Sequence, residues 1–140
     1  MREILFRGKR IDNGELVCGL FIKDFEIYGH EDEHSYIVTH EHPSGCFGAD
    51  IYFEVDPETV GQYTGLTDKN GKRIFEGDIV KHYHDKNFPE SYSKGVIYWD
   101  EEYLRWKRTS ENVKVCIAPD CTYEVIGNIH DNPELLKGGE

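Results

Sequence analysis

Short apolar runs recur along the whole chain, with polar residues, Gly and Asn between them. In residues 51–55 and 113–117 every second position is large and apolar. A period of two places these side chains on one face, as in a half-buried β-strand. Further runs occupy residues 4–6, 16–22, 25–28, 36–38, 73–75, 79–80, 96–99 and 123–126. The pattern predicts several short antiparallel strands.

Turn residues separate several of these runs. Asn13-Gly14 lies between two of the predicted strands, and Asn70-Gly71 lies between two others. Asn-Gly tolerates the positive φ angles of tight hairpin turns, so both positions predict hairpins. Gly77 marks a third turn, at the entry to the run at 79–80.

The choice of apolar residue types agrees with strands. The chain has 12 Ile and 9 Val but only 7 Leu, 2 Ala and 1 Met, together with nine Tyr and seven Phe. β-Branched and aromatic side chains favour strands, whereas Ala, Leu and Met favour helices. We therefore predict an all-β, β-dominated fold. One short C-terminal helix is expected, with Asn132 as its N-cap, Pro133 in its first turn and Gly138 after its end.

Charge is distributed unevenly over the 140 residues. Sixteen Lys and Arg stand against 27 Asp and Glu, which gives a net charge of −11. Eight of the acidic residues lie in segment 29–60, which has no Lys or Arg. Because this balance changes near residue 60, we predict an N-terminal β-rich region, 1–60, and a C-terminal region, 61–140. One continuous domain over 1–140 is the alternative.

The chain contains no apolar run of eighteen residues and no apolar stretch of a secretory signal at its start. We therefore expect a cytoplasmic protein without membrane contact. A reducing compartment keeps thiols free, so no disulfide is expected among the four cysteines.

The acidic segment contains a cluster of metal-ligand residue types. Imidazole and thiolate bind zinc and related metals. The candidate ligands are His30, His34, His40, His42 and Cys46. Their spacing matches no known zinc template, so a solvated acidic loop with scattered histidines is the alternative interpretation.

A second candidate is an aromatic and basic stretch that contains both tryptophans. Aromatic rings beside Arg and Lys suit single-stranded nucleic acid or a peptide. The alternative is that the tryptophans fill the core while the basic residues are solvated. The candidate binding residues are Tyr98, Trp99, Tyr103, Arg105, Trp106, Lys107 and Arg108. Lys69, Lys72 and Arg73 form a possible second basic edge.

Residues 56–80, with the sequence DPETVGQYTGLTDKNGKRIFEGDIV, and residues 123–136, with YEVIGNIHDNPELL, resemble the YopX family of phage and prophage proteins. The opening REILFR fits as well. The resemblance implies a β-rich fold with an SH3-like small barrel in the C-terminal part, and a bacterial or phage cytoplasmic setting. It implies no activity and supplies no catalytic residues.

No phosphate-binding loop, nucleophile elbow or zinc-protease motif is present in the sequence. We therefore expect a phage- or prophage-type accessory protein, a non-enzymatic binding module without a cofactor. Its partner would be a protein or a nucleic acid, and exposed strand edges also allow a homo-oligomer. Two alternatives are an acidic charge mimic that inhibits a basic host protein, and a metal-dependent hydrolase that uses the cluster at 30–46.

Overall fold

The computed structural model describes residues 4–23, 34–39, 51–84, 87–102, 104–109, 114–117 and 121–136. Ten strands and one 3-10 turn make up its regular structure, and all the strand pairs are antiparallel. The predicted all-β fold is confirmed. The chain divides into two compact units, residues 1–62 and 63–140. The sequence-based limits of 1–60 and 61–140 stay a prediction.

The first unit is formed by four strands whose pairing returns to its start. They are β1 (Phe6–Arg10), β2 (Leu16–Lys23), β3 (Ser35–Thr39) and β4 (Ile51–Thr67). Each strand pairs with the next, and β4 also pairs with β1. Ile37, Val38 and Val55 are buried in this unit. Gly14 closes the β1–β2 hairpin at φ 73°, as Asn13-Gly14 predicts.

Strand β4 contains a bulge opposite β1. Arg7 lies across from Gly61 but Lys9 lies across from Asp56, so the four residues 57–60 of β4 stand against the single residue Gly8 of β1. The Asp56 side chain accepts a hydrogen bond from the Glu58 backbone N–H, and the Thr59 hydroxyl accepts one from the Lys9 N–H at 2.9 Å. Proline and glycine in this stretch therefore mark an irregularity within one strand.

The second unit contains the other six strands and the end of β4. They are β5 (Arg73–Phe75), β6 (Asp78–Tyr83), β7 (Tyr92–Asp100), β8 (Arg105–Thr109), β9 (Lys114–Cys116) and β10 (Thr122–Asn128). One sheet has the order β10-β6-β7-β8-β9, and β5 pairs with β4. The core consists of Ile74, Val80, Ile97 and Tyr123. Gly95 of β7 is required where the end of β8 approaches it, because a Cβ there would lie 1.9 Å from the Thr109 carbonyl oxygen.

The prediction of a C-terminal helix is wrong, because the structure has only a 3-10 turn there, Pro133–Leu136. The Leu135 N–H donates to the Asn132 carbonyl, which is the i to i+3 bond of a 3-10 turn. Four residues are too few to propagate an α-helix. Gly138, the predicted end of the helix, lies outside the described residues. Within the described chain, no helix has the length and apolar character needed to cross a membrane.

The outer edge of β10 is covered by the turn after β4. The Lys69 N–H donates to the Tyr123 carbonyl at 2.8 Å. The Asp68 carboxylate accepts the Val125 N–H at 3.0 Å, and its other oxygen accepts the backbone N–H groups of Asn70 and Lys72. The turn therefore supplies the hydrogen bonds that a neighbouring strand would otherwise make.

Candidate functional site

The alternation of β6 separates two sets of side chains. Val80 and His82 lie on the core side of the sheet, so Lys81 and Tyr83 lie on its outer side. On that outer side Tyr83 faces Tyr92 across the β6–β7 pair. We call the group around them the tyrosine–lysine face. It consists of Lys69, Lys81, Tyr83, Tyr92, Lys94 and Glu124.

The two tyrosines form the centre of the tyrosine–lysine face. Their ring centroids are 6.0 Å apart and the rings are tilted by 55°. The Lys81 ammonium lies 4.5 Å from the Tyr92 ring centroid, and the Lys69 ammonium lies 4.7 Å from that of Tyr83. One cation therefore lies over each of the two rings, at a distance suited to a cation–π interaction.

One carboxylate lies beside these cations. Glu124 pairs with the Lys69 ammonium at 3.1 Å and accepts a hydrogen bond from the Tyr83 hydroxyl at 3.2 Å. The hydrogen bond from Lys69 lowers the pKa of Glu124, and the same bond raises the pKa of Lys69. Both groups are charged at neutral pH. Lys94 donates to the Leu135 carbonyl at 2.9 Å.

The tyrosine–lysine face thus presents three ammonium groups and one carboxylate around two half-buried aromatic rings. It has a net positive charge in a chain whose total is −11. Flat aromatic rings can stack with bases, and the lysines can neutralise phosphates. This combination suits an anionic ligand that also carries planar groups.

The aromatic hairpin predicted at 98–108 is formed by β7 and β8, but most of its side chains are engaged within the protein. Trp99 faces Trp106, with ring centroids 5.0 Å apart and edge-to-face, and Trp106 packs against the core. Lys107 forms an ion pair of 2.7 Å with Asp100.

The other predicted residues of this hairpin lie in different surroundings. Arg108 is only 3% exposed, and the Tyr98 hydroxyl is buried. Arg105 is exposed at the hairpin end, and Tyr103 lies outside the described residues. The use of this hairpin as a binding surface stays a prediction. Lys72 and Arg73, from the possible second basic edge, are both exposed.

Four of the five candidate metal ligands, His30, His40, His42 and Cys46, lie outside the described residues. The fifth, His34, places Nδ1 2.6 Å from the Glu54 carboxylate. Among residues the structure does describe, no group of three or more His, Cys, Asp or Glu could hold a metal ion. The metal site stays a prediction.

The tyrosine–lysine face was not identified from the sequence, although its signal is there. Lys81 and Tyr83 alternate with His82 and His84 at the end of one apolar run. Tyr92 falls in the polar stretch 84–93, which contains Pro89 and no apolar run, yet β7 begins at that residue. The pairing of Tyr83 with Tyr92 depends on register, which the sequence pattern does not specify at this polar end of the hairpin.

Comparison with known proteins gives a family and a structural neighbour. A family model described as YopX protein matches residues 6–137. The chain is similar to the crystal structure of protein EF1440 from Enterococcus faecalis, with 25% identity and a TM-score of 0.55. That match covers 98% of this chain and 100% of the other. No curated protein matches.

Proposed function

The chain belongs to the YopX family, and we propose that it is a non-enzymatic binding module that takes single-stranded nucleic acid on the tyrosine–lysine face. The observation that carries this proposal is the Tyr83–Tyr92 pair with a lysine over each ring. The one carboxylate of this face, Glu124, is held by the Lys69 ammonium and the Tyr83 hydroxyl.

Binding would exchange one set of contacts for another. A base that stacks on Tyr92 displaces the Lys81 ammonium from the ring, and the freed ammonium pairs with a backbone phosphate. In the same way, a base that stacks on Tyr83 displaces the Lys69 ammonium, which then pairs with a phosphate. The cation–π contacts therefore keep the rings and cations together before the ligand arrives, which lowers the ordering cost of binding.

Single strands suit this face better than duplexes. Stacking needs an accessible base plane, which a duplex keeps inside its stack. The two rings are 6.0 Å apart and tilted, so they offer positions for two neighbouring bases rather than one. Binding would depend little on the base sequence of the strand, because every base has a flat face that can stack.

The test is fluorescence anisotropy with a short labelled oligothymidylate, titrated at several salt concentrations. We expect Lys81→Gln/Lys94→Gln to weaken binding and to make the salt dependence shallower. For single strands the slope of log K against log salt changes by about 0.7 for each lost phosphate contact, or about 1.4 for two. Tyr92→Leu should reduce the preference for oligothymidylate over an abasic strand of equal length.

Lys9→Gln/Lys23→Gln is the matched control, because it removes the same charge from the first unit. It should leave the affinity and the salt slope close to those of the wild type. Equal losses in the two double variants, or no binding by the wild type, would refute the proposal. A loss of affinity in Arg105→Gln without a loss in Lys81→Gln/Lys94→Gln would indicate that the hairpin at 98–108 is the binding surface instead.

Three further expectations belong with this proposal. They are the phage or prophage setting, the cytoplasmic location and the SH3-like arrangement of the second unit, and all three stay predictions. A capture experiment from bacterial cells, with and without nuclease treatment, would separate a nucleic-acid partner from a protein partner. Loss of captured material after nuclease treatment supports the proposed ligand.

A further inference from the structure

Arg108 is a charged residue on the core side of the second sheet. It lies across from Ile97 in the β7–β8 pair, and the residue is 3% exposed. One guanidinium nitrogen donates to His82 Nδ1 at 2.7 Å, and another donates to the Thr109 carbonyl at 3.4 Å. Its buried Nε has no hydrogen-bond partner in the described part of the chain.

This burial leaves the charge of Arg108 without a counterion in the described structure. No described carboxylate forms an ion pair with it. Burial lowers the pKa of the guanidinium, and the groups that oppose this effect are Tyr123 and Cys121. Arginine stays protonated in proteins, so the positive charge persists. A buried charge without a partner is costly, and such a group marks a place where an anion would be stabilised.

Histidines connect Arg108 to the surface. The His82 ring lies 5.0 Å from those of both His84 and Tyr123, and His84 is exposed. The pKa of His82 is lowered by burial, by Arg108 and by His84. A neutral His82 that accepts through Nδ1 must carry its proton on Nε2, which makes Nε2 a donor.

Ser93 completes the group at the exposed end. Its hydroxyl lies 3.0 Å from His84 Nε2, and Ser93 faces His82 across the β6–β7 pair. The group therefore combines the unused Nε–H of Arg108, the Nε2–H of His82 and a hydroxyl. Tetrahedral oxyanions are bound by such combinations of guanidinium, imidazole and hydroxyl donors.

We propose that Arg108, His82, His84 and Ser93 form a binding site for a phosphate-type oxyanion. This site lies on the opposite side of β6 from the tyrosine–lysine face, so it does not depend on nucleic-acid binding there. The anion enters past the exposed His84 side chain and supplies a negative charge beside Arg108, which has no ion pair with a described carboxylate.

The test is a titration of the full chain with inorganic phosphate at constant ionic strength, followed by the imidazole signals of His82 and His84 in NMR spectra. We expect saturable shifts in the millimolar range. Arg108→Met should weaken binding by about tenfold or more, which is the effect of losing a charge-assisted hydrogen bond. Methyl phosphate in a parallel titration distinguishes a phosphate ester from the free ion, and tighter binding of either one supports the site.

Arg105→Met is the matched control, since it removes an exposed arginine from the same strand and should leave phosphate binding unchanged. If Arg108→Met fails to fold, His84→Ala decides the matter, because His84 is exposed and its loss should weaken binding without unfolding the chain. Absence of saturable shifts in the wild type overturns the proposal. Equal binding by wild type and His84→Ala also overturns it, as does stronger binding of acetate than of phosphate.

Discussion

Asp68 shows how much one side chain contributes to the second unit. It is 7% exposed, and its carboxylate accepts three backbone N–H groups, from Asn70, Lys72 and Val125. Burial alone would raise its pKa, but these hydrogen bonds outweigh burial, and the pKa is lowered. The residue therefore fixes the turn and connects it to β10 through its ionised form.

Asp68→Asn should destabilise the protein by about 1.5–3 kcal/mol at pH 7, because hydrogen bonds to a charged acceptor are lost. The folded-state pKa is below the unfolded one, so the unfolded chain binds the proton first as pH falls. The contribution of Asp68 is therefore complete above the unfolded value and disappears as pH falls through the folded one. Urea unfolding at neutral and acidic pH measures this.

Asp12→Asn is the control for that experiment. The pKa of Asp12 is also lowered, by its hydrogen bond to Arg10, but its carboxylate is exposed in a surface turn. We expect little change in stability. A free energy difference between wild type and Asp68→Asn that stays constant from neutral to strongly acidic pH would contradict the role given to the Asp68 charge.

At the scale of elements, the β7–β8 hairpin is shaped by its two tryptophans. Trp106 contacts the core and meets Trp99 edge-to-face, whereas Leu104 in the turn adopts φ 53° and is 71% exposed. The Trp106 indole N–H is buried without a hydrogen-bond partner in the described chain. The Trp106 ring thus stabilises the fold through its apolar surface, whereas the burial of its N–H group costs free energy.

Trp106→Phe should therefore cost far less stability than Trp106→Ala. The alanine variant leaves a cavity and should lose about 3–5 kcal/mol. The phenylalanine variant keeps a ring in place and removes the unsatisfied donor, which offsets part of the lost contact. Denaturant unfolding of both variants checks this, with Trp99→Phe as the comparison. Equal losses for phenylalanine and alanine at position 106 would contradict the role given to the apolar surface of the ring.

The elements also show where sequence reasoning succeeds. Asn13-Gly14 and Asn70-Gly71 identify their turns because both glycines have positive φ. Alternation identifies strands wherever one face is apolar. The burial of Arg108 was not predictable, because a basic residue in a strand is normally solvated and its contacts with His82 arise from distant pairing. Pro57 lies within β4, because the bulge there accommodates it without ending the strand.

At the scale of the whole molecule, salt should have opposite effects on stability and on binding. The net charge of −11 destabilises the compact chain through self-repulsion, and added salt screens it. We expect the thermal midpoint to rise with sodium chloride while the affinity for single strands falls. Thermal unfolding and anisotropy on the same preparations measure both. A midpoint that falls with moderate salt would indicate that favourable charge pairs dominate instead.

The covered edge of β10 has a consequence for assembly. Lys69 and Asp68 already form hydrogen bonds with the Tyr123 carbonyl and the Val125 N–H. These two backbone groups of β10 are therefore not available to pair with a strand of another chain. At the opposite end of the sheet, β9 pairs with β8 and with no other described strand. Two copies that paired through their β9 strands would form a symmetric dimer in which both β9 edges are hydrogen-bonded to each other. Among the described strands, addition of a strand to this sheet is therefore expected at β9 and not at this part of β10.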